Sequence, residues 1–252
     1  MSHIRLENLR KSFGPKRVLD GLSLEVRSGE IVFVIGKSGT GKSVLLKHIV
    51  GLMQPDAGEI YFEGEPLCGK AESEWYRIRR QCGMVFQHPA LLDSLSVLEN
   101  VAFGLRAHRL AKSESELREA VAAKLAAVNL GADIMDRFPP ELSFAVQKRV
   151  SLARTLAIAP DVLLFDEPTT AQDPVATRAI NELIHRLSRT LGVSSLVVSH
   201  DMHCALAIAD RIVMLDGGKA VAQGSPQEML ESKHPLVAGF MKEAKERLFE
   251  VD

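Results

Sequence analysis

Eight consecutive residues constrain this chain more than any others. Gly36-Lys37-Ser38-Gly39-Thr40-Gly41-Lys42-Ser43 fills every fixed position of the phosphate-loop pattern G-x-x-x-x-G-K-[ST]. Such a loop works only between a buried strand and a helix. Its glycines let the backbone turn tightly enough for consecutive N–H groups to face an anion, and the helix N-terminus adds partial positive charge. The neighbouring sequence supplies both flanks. Glu30-Ile31-Val32-Phe33-Val34-Ile35 reads as a short buried strand, and Val44-Leu45-Leu46-Lys47-His48-Ile49-Val50 as the first turns of a helix. Lys42 is placed to reach β- and γ-phosphates, and the Ser43 hydroxyl suits a Mg²⁺ shell. A nucleoside-triphosphate site in an α/β fold is therefore expected.

The remaining chain agrees with that fold class. Val162-Leu163-Leu164-Phe165 and Ser195-Leu196-Val197-Val198 are apolar runs of strand length. Ala176, Ile180, Leu183 and Leu187 mark a helix between them, and strands separated by helices imply a mostly parallel sheet. The first ~65 residues differ, because Ile4 to Leu9 and Leu22 to Val26 alternate and turns fall at Phe13-Gly14-Pro15 and Ser28-Gly29. Gly58 to Gly64 is a further short strand. From 89 to 157 the pattern becomes helical: Ser113-Glu114-Ser115-Glu116 reads as a capping box, with Leu117, Val121, Leu125 and Val128 following at helical spacing. The expected organisation over 1–252 is one nucleotide-binding domain. A core with its β-subdomain occupies 1–88 and 158–225, a helical insertion 89–157, and a C-terminal helical tail 226–252.

Val162 to Phe165 runs into Asp166-Glu167, and burying four apolar residues brings the two carboxylates out at the C-terminal edge of the sheet, where ligands bind. Asp166 is suited to hold Mg²⁺ together with Ser43, and Glu167 to orient and deprotonate an attacking water. A formal net charge of −1 gives no basic field for nucleic acid. No apolar run approaches the ~20 residues of a membrane span and the N-terminus has no signal-peptide pattern, so any membrane role is expected to come through a partner. Cys68, Cys82 and Cys204 fit neither a disulfide framework nor metal-ligand spacing.

In these residues and several more, the chain resembles the nucleotide-binding subunit of ATP-binding-cassette (ABC) transporters over essentially its whole length, in a fixed order of motifs. Phe13 stands where that family stacks an aromatic on adenine, and Val85-Phe86-Gln87 looks like its glutamine loop. Leu142-Ser143 with Lys148 to Arg154 looks like its signature, Glu167 to Pro174 like its acid-to-D-loop segment, and Val198-Ser199-His200-Asp201 like its switch histidine. The resemblance implies a P-loop NTPase (RecA-like) core with an N-terminal antiparallel β-subdomain and an inserted α-helical subdomain. It implies ATP contacts at Phe13, Val18, Gly36, Lys37, Ser38, Gly39, Thr40, Gly41, Lys42, Ser43, Val44, Ser143 and Asp173. Catalytic roles fall on Glu167, His200 and Gln87, and Mg²⁺ on Ser43, Gln87 and Asp166. It also implies a homodimer closing around two Mg·ATP to drive a membrane permease.

Within the family, Gly41 to His48, with Val44 where most relatives have Thr, is similar to the ATPases of Mla/Mce lipid-transport systems, as is Ala90 to Phe103. That subfamily moves phospholipid between bacterial inner and outer membranes, from the cytoplasmic side of the inner membrane. A small regulatory subunit and an Mce-type lipid-binding protein accompany it. Leu91, Leu92 and Leu95 belong either to the surface that receives the permease or to the core of the helical subdomain. The signature departs from the family's Leu-Ser-Gly-Gly-Gln by reading Leu142-Ser143-Phe144-Ala145-Val146, and Ala171-Gln172 replaces the common Gly-Leu. Either Phe144 and Ala145 obstruct the partner's γ-phosphate, or the loop has re-formed around them. Alternative readings follow: an ATPase energising another substrate, or a nucleotide-gated regulatory subunit with weak turnover. A soluble ABC protein of ribosomes or DNA repair fits poorly, since those usually carry two cassettes or a coiled-coil insertion. In the tail, Val237, Phe240, Met241, Ala244 and Leu248 form one helical stripe that packs on its own domain, on the other subunit or on a partner. A core complete by Gly224 favours the external surfaces.

Overall fold

Ile4, Leu6 and Leu9 turn one face of β1 (Ser2–Phe13) inward, and Leu19, Leu22, Leu24 and Val26 do the same for β2 (Lys16–Arg27). The computed structural model describes residues 2–170 and 172–249, and the side chains of all of these except 2 and 243–249. In it these strands form an antiparallel hairpin turning at Gly14. The apolar period slips from two to three between Leu6 and Leu9. Asn8 takes φ 49° there and the pairing shifts register, a bulge that returns Leu9 to the buried face. Facing the bulge, β4 (Ala57–Phe62) carries Gly58, where a Cβ would lie 2.6 Å from the carbonyl oxygens of Glu7 and Asn8. Only glycine lets these strands approach. With β5 (Glu65–Pro66) they make a four-stranded sheet in the order β2-β1-β4-β5.

The second sheet is built from β3 (Ile31–Ile35), β6 (Cys82–Val85), β7 (Val162–Asp166), β8 (Ser194–Ser199), β9 (Arg211–Asp216) and β10 (Lys219–Gly224). Its order is β10-β9-β3-β8-β7-β6, parallel except for the β9–β10 hairpin. Every residue of β3, β7 and β8 is buried, as expected for strands covered on both faces. The pleat divides the interior in two. Phe33, Ile35, Leu163, Phe165 and Val197 face a helical layer, whereas Val32, Val34, Leu164, Leu196 and Val198 face the antiparallel sheet together with α1 (Lys42–Ile49) and α2 (Glu72–Gln81). Helix α2 has only Trp75 and Ile78 buried, too few apolar positions for its period to stand out in sequence. Trp75 lies so close to Gly51 that a Cβ there would fall 2.4 Å from the indole.

In the helical insertion, α3 (Val97–Ala107), α4 (Glu114–Ala127) and α5 (Phe144–Leu156) pack on one another. The buried Asn100 fastens the segment before α3. Its Nδ2 donates to the carbonyls of Leu92, Leu95 and Ser96, and its Oδ1 accepts from the Leu92 N–H. This splits the 91–95 leucines: Leu91 packs against the core, Leu95 is half-buried, and Leu92 is exposed. The capping box expected at Ser113 forms only by half. Ser113 accepts from the Glu116 N–H at 3.2 Å, but the Glu116 carboxylate takes the Lys112 N–H at 2.7 Å, one residue earlier.

Helices α6 (Pro174–Leu191), α7 (Met202–Ile208), α8 (Pro226–Leu230) and α9 (Pro235–Phe249) complete the fold. The core is not complete at Gly224. Val237 and Met241 on α9 are buried in the helical-side core, where α9 packs on α7 and α8. The inner half of the stripe therefore packs on its own subunit, and the side chains of Ala244 and Leu248 lie outside the described residues. A Met241→Ala variant is expected to lose about 2–5 kcal/mol of unfolding free energy. Removing 235–252 should destabilise the monomer as well as alter assembly. Urea unfolding checks both, and an unchanged midpoint would contradict this packing.

Candidate functional site

Three elements of the parallel sheet end at one cavity. Strand β3 leads into the 36–41 loop, where Gly39 and Gly41 take φ 78° and 100°. A Cβ on Gly36 would lie 2.5 Å from the Leu215 carbonyl oxygen, and one on Gly41 2.9 Å from that of Val18. The loop is thus pressed between β9 and β2, and glycine is required at both contacts. Lys42 opens α1 and is 6% exposed; its Nζ donates to the carbonyls of Gly36 at 2.7 Å and Lys37 at 3.1 Å.

Strand β7 delivers the two carboxylates to the same place. Asp166 Oδ1 accepts from the Ser43 hydroxyl at 2.8 Å. Burial pushes its carboxyl above the ordinary range, with Glu167 adding to the rise, while the Ser43 hydrogen bond and Lys47 and Lys42 work against it. Glu167 follows in the left-handed region at φ 50°, a costly conformation for a residue with a Cβ. Its N–H donates to the Val198 carbonyl at 2.9 Å, which ties the turn to β8. Its carboxylate lies 3.4 Å from Lys42 Nζ through Oε1 and 2.7 Å from His200 Nδ1 through Oε2. His200 leaves the end of β8. The next residue, Asp201, caps α7 by accepting from the N–H groups of His203 and Cys204.

The cavity has a volume of about 700 Å³ and is lined by Phe13, Lys16 and Val18, by Lys37 to Gly39 and Gly41 to Val44, and by Gln87, Glu167, Thr170 and His200 to His203. Phe240 of α9 also lines it. Among the residues expected from sequence, Gly36, Thr40 and Asp166 stand behind this wall through hydrogen bonds or close contact with it. Ser143 and Asp173 are not brought to it. Both are exposed helix N-caps, Ser143 of α5 and Asp173 of α6, and the Asp173 carboxylate accepts from the Ala176 N–H at 2.8 Å. Ala171 lies outside the described residues. Lys16, Thr170, Asp201, Met202, His203 and Phe240 were not singled out in sequence as cavity residues. Of these, Thr170 sits within the Glu167 to Pro174 segment and Asp201 within Val198-Ser199-His200-Asp201.

The donor set fits a magnesium nucleotide. A glycine-bent loop at a helix N-terminus and a buried ammonium suit phosphate, and a hydroxyl hydrogen-bonded to a carboxylate beside them is an oxygen-only set of the kind Mg²⁺ takes. Phe13, 47% exposed, adds an aromatic side chain to the cavity wall.

Residues 19–170 match the family described as ABC transporter. The chain belongs to this family. It is 40% identical to the intermembrane phospholipid transport system ATP-binding protein MlaF of Haemophilus influenzae, over 95% of this chain and 90% of that protein. It is 39% identical to the methionine import ATP-binding protein MetN of Rhizobium johnstonii, over 94% of this chain and 64% of that protein. Among solved structures, a dimeric ATP-binding cassette in a post-hydrolysis state bound to ADP and Pi matches with a TM-score of 0.81 and 32% identity, covering 88% of this chain and 98% of that one. As an ABC cassette, the protein binds Mg·ATP and couples ATP hydrolysis to transport. Among the described residues no helix is long and apolar enough to cross a membrane, and cassettes of this family work with transmembrane permeases.

Signature positions 144 and 145 open α5 without left-handed backbone, so Phe144 and Ala145 sit there without conformational strain. Glycine at these positions is not required by the fold of this chain.

Proposed function

We propose that this chain is the ATPase subunit of a phospholipid transporter. Two copies close around two Mg·ATP at the cytoplasmic face of a bacterial inner membrane and drive a permease that moves phospholipid between the inner and outer membranes. The observation that carries the catalytic part is the Lys42–Glu167–His200 cluster beside Ser43 and Asp166. The 36–43 loop and Lys42 would hold the phosphates, and Phe13 and Val18 the adenine. Bound Mg²⁺, held by Ser43, Asp166 and Gln87, would spread charge off the β- and γ-phosphates. Glu167 accepts the proton of the attacking water, and His200 holds the carboxylate by its 2.7 Å contact. Ser143 and Asp173 lie away from their own cavity, which supports their acting on the site of a second copy.

Phospholipid as the transported class is supported by the similarity to MlaF over nearly the whole of both chains, and by the 41–48 and 90–103 segments. The exposed Leu92 and Phe103 suit a permease contact, and a small regulatory subunit and an Mce-type lipid-binding protein fit the same complex. The similarity to MetN supports a second reading, an importer ATPase for a small solute. The native complex, purified through this chain and placed in vesicles with labelled phospholipid, separates them. ATP-dependent phospholipid transfer is expected. ATP-dependent solute uptake without lipid movement would overturn the lipid assignment.

A further inference from the structure

Lys148 lies one helical turn beyond Phe144 on α5, and it is buried to 5% exposure. Among the described residues no carboxylate is paired with it. Its Nζ instead donates to the carbonyls of Pro168 at 2.8 Å and Thr170 at 3.0 Å, and the Phe144 ring covers it at 5.1 Å to the centroid. A buried ammonium held only by neutral groups is costly, and here burial pushes its pKa down. The two carbonyls it grips belong to the segment that leaves Glu167, the residue held at φ 50°. Thr170 in the same segment has its hydroxyl 3.3 Å from Glu167 Oε2. On the far side, the Phe144 ring meets His88 edge-on, with centroids 6.3 Å apart, and His88 follows Gln87 of the cavity.

We propose that Lys148 is a positioning residue for ATP hydrolysis, holding the Pro168–Thr170 segment so that Glu167 stays aimed at the attacking water, with Phe144 as the cover that keeps its ammonium on those carbonyls. The proposal rests on the reading of Glu167 as the general base. The substituted signature residue thereby gains a role within its own subunit: Phe144 joins the helical insertion, through Lys148, to the catalytic carboxylate. Before closure the left-handed turn at Glu167 is anchored on the β8 side by its own N–H and on the α5 side by Lys148. Loss of the second anchor leaves the nucleotide-binding loop untouched, because none of residues 36–43 contacts Lys148 through a hydrogen bond.

Lys148→Met keeps most of the volume and removes the donors. It is expected to lower kcat about tenfold or more while KM for ATP and the affinity for a fluorescent ATP analogue stay within about threefold. Lys148→Gln restores two N–H donors and should recover most of kcat. In a Glu167→Gln background, Lys148→Met should add little further loss, because both act on one group. Wild-type kcat in a folded Lys148→Met protein overturns the proposal, as does a parallel loss of nucleotide affinity and turnover that Lys148→Gln does not rescue. Should Lys148→Met fail to fold, Phe144→Leu carries the test. It keeps a smaller apolar side chain and removes the ring, so kcat should fall about threefold or more at unchanged KM, and unchanged kcat overturns the proposal. If Glu167→Gln itself turns over like wild type, the reading of the base has failed. If it is inactive and Lys148→Met is not, only the present inference has.

Discussion

Glu167→Gln is expected to bind Mg·ATP, close into a dimer and remain closed, with turnover reduced by about 10²–10⁴-fold, the usual contribution of a positioned general base. The carboxamide matches the carboxylate in size, so the left-handed turn, the N–H bond to Val198 and the contact with Thr170 can persist. What disappears is the basic oxygen, together with the negative charge that pairs with Lys42 at 3.4 Å. Loss of that charge also frees Lys42 for the phosphates, so affinity for ATP should hold or rise. Steady-state hydrolysis and size measurement with Mg·ATP check the two halves. Turnover near wild type would remove Glu167 from its role without touching the fold.

Lys42→Ala acts on binding. The side chain is buried against the carbonyls of Gly36 and Lys37, and its ammonium lines the cavity 3.4 Å from the Glu167 carboxylate. Its removal leaves Glu167 and a nucleotide triphosphate facing each other across the site without the charge between them. Breaking one partner of such a buried charged arrangement typically costs about 3–5 kcal/mol, more than a hundredfold in affinity. Titration with a fluorescent ATP analogue should show that loss in a protein whose thermal unfolding remains cooperative. Normal ATPase activity in folded Lys42→Ala would contradict the site.

The α/β architecture, the β-rich opening and the helical insertion are legible in sequence because each rests on a local period, whereas the antiparallel pairing of the opening comes only with the family resemblance. Strands β3, β7 and β8 are uninterrupted apolar runs because both of their faces are covered. The phosphate loop is legible for a related reason, since contiguous residues make the whole cradle. Features that depend on packing are not. Helix α2 hides because only Trp75 and Ile78 are buried, and the bulge at Asn8 hides inside what reads as plain alternation. The stripe on α9 shows a helix but not its neighbour, so the burial of Val237 and Met241 in their own core and the arrival of Phe240 at the cavity come only from the fold. Lys148 reads only as part of the signature-like segment, with no role of its own, until its carbonyl partners, twenty and twenty-two residues away, are seen.

The proposed function requires a site that one copy builds and a second copy completes. Its most direct test is steady-state ATP hydrolysis by the purified wild-type chain, measured as specific activity against protein concentration at saturating Mg·ATP. Specific activity should rise with concentration toward a plateau as dimers form, and Glu167→Gln should stay near background throughout. Specific activity independent of concentration down to dilutions at which the protein is shown to be monomeric, or hydrolysis that survives in Glu167→Gln, would contradict it.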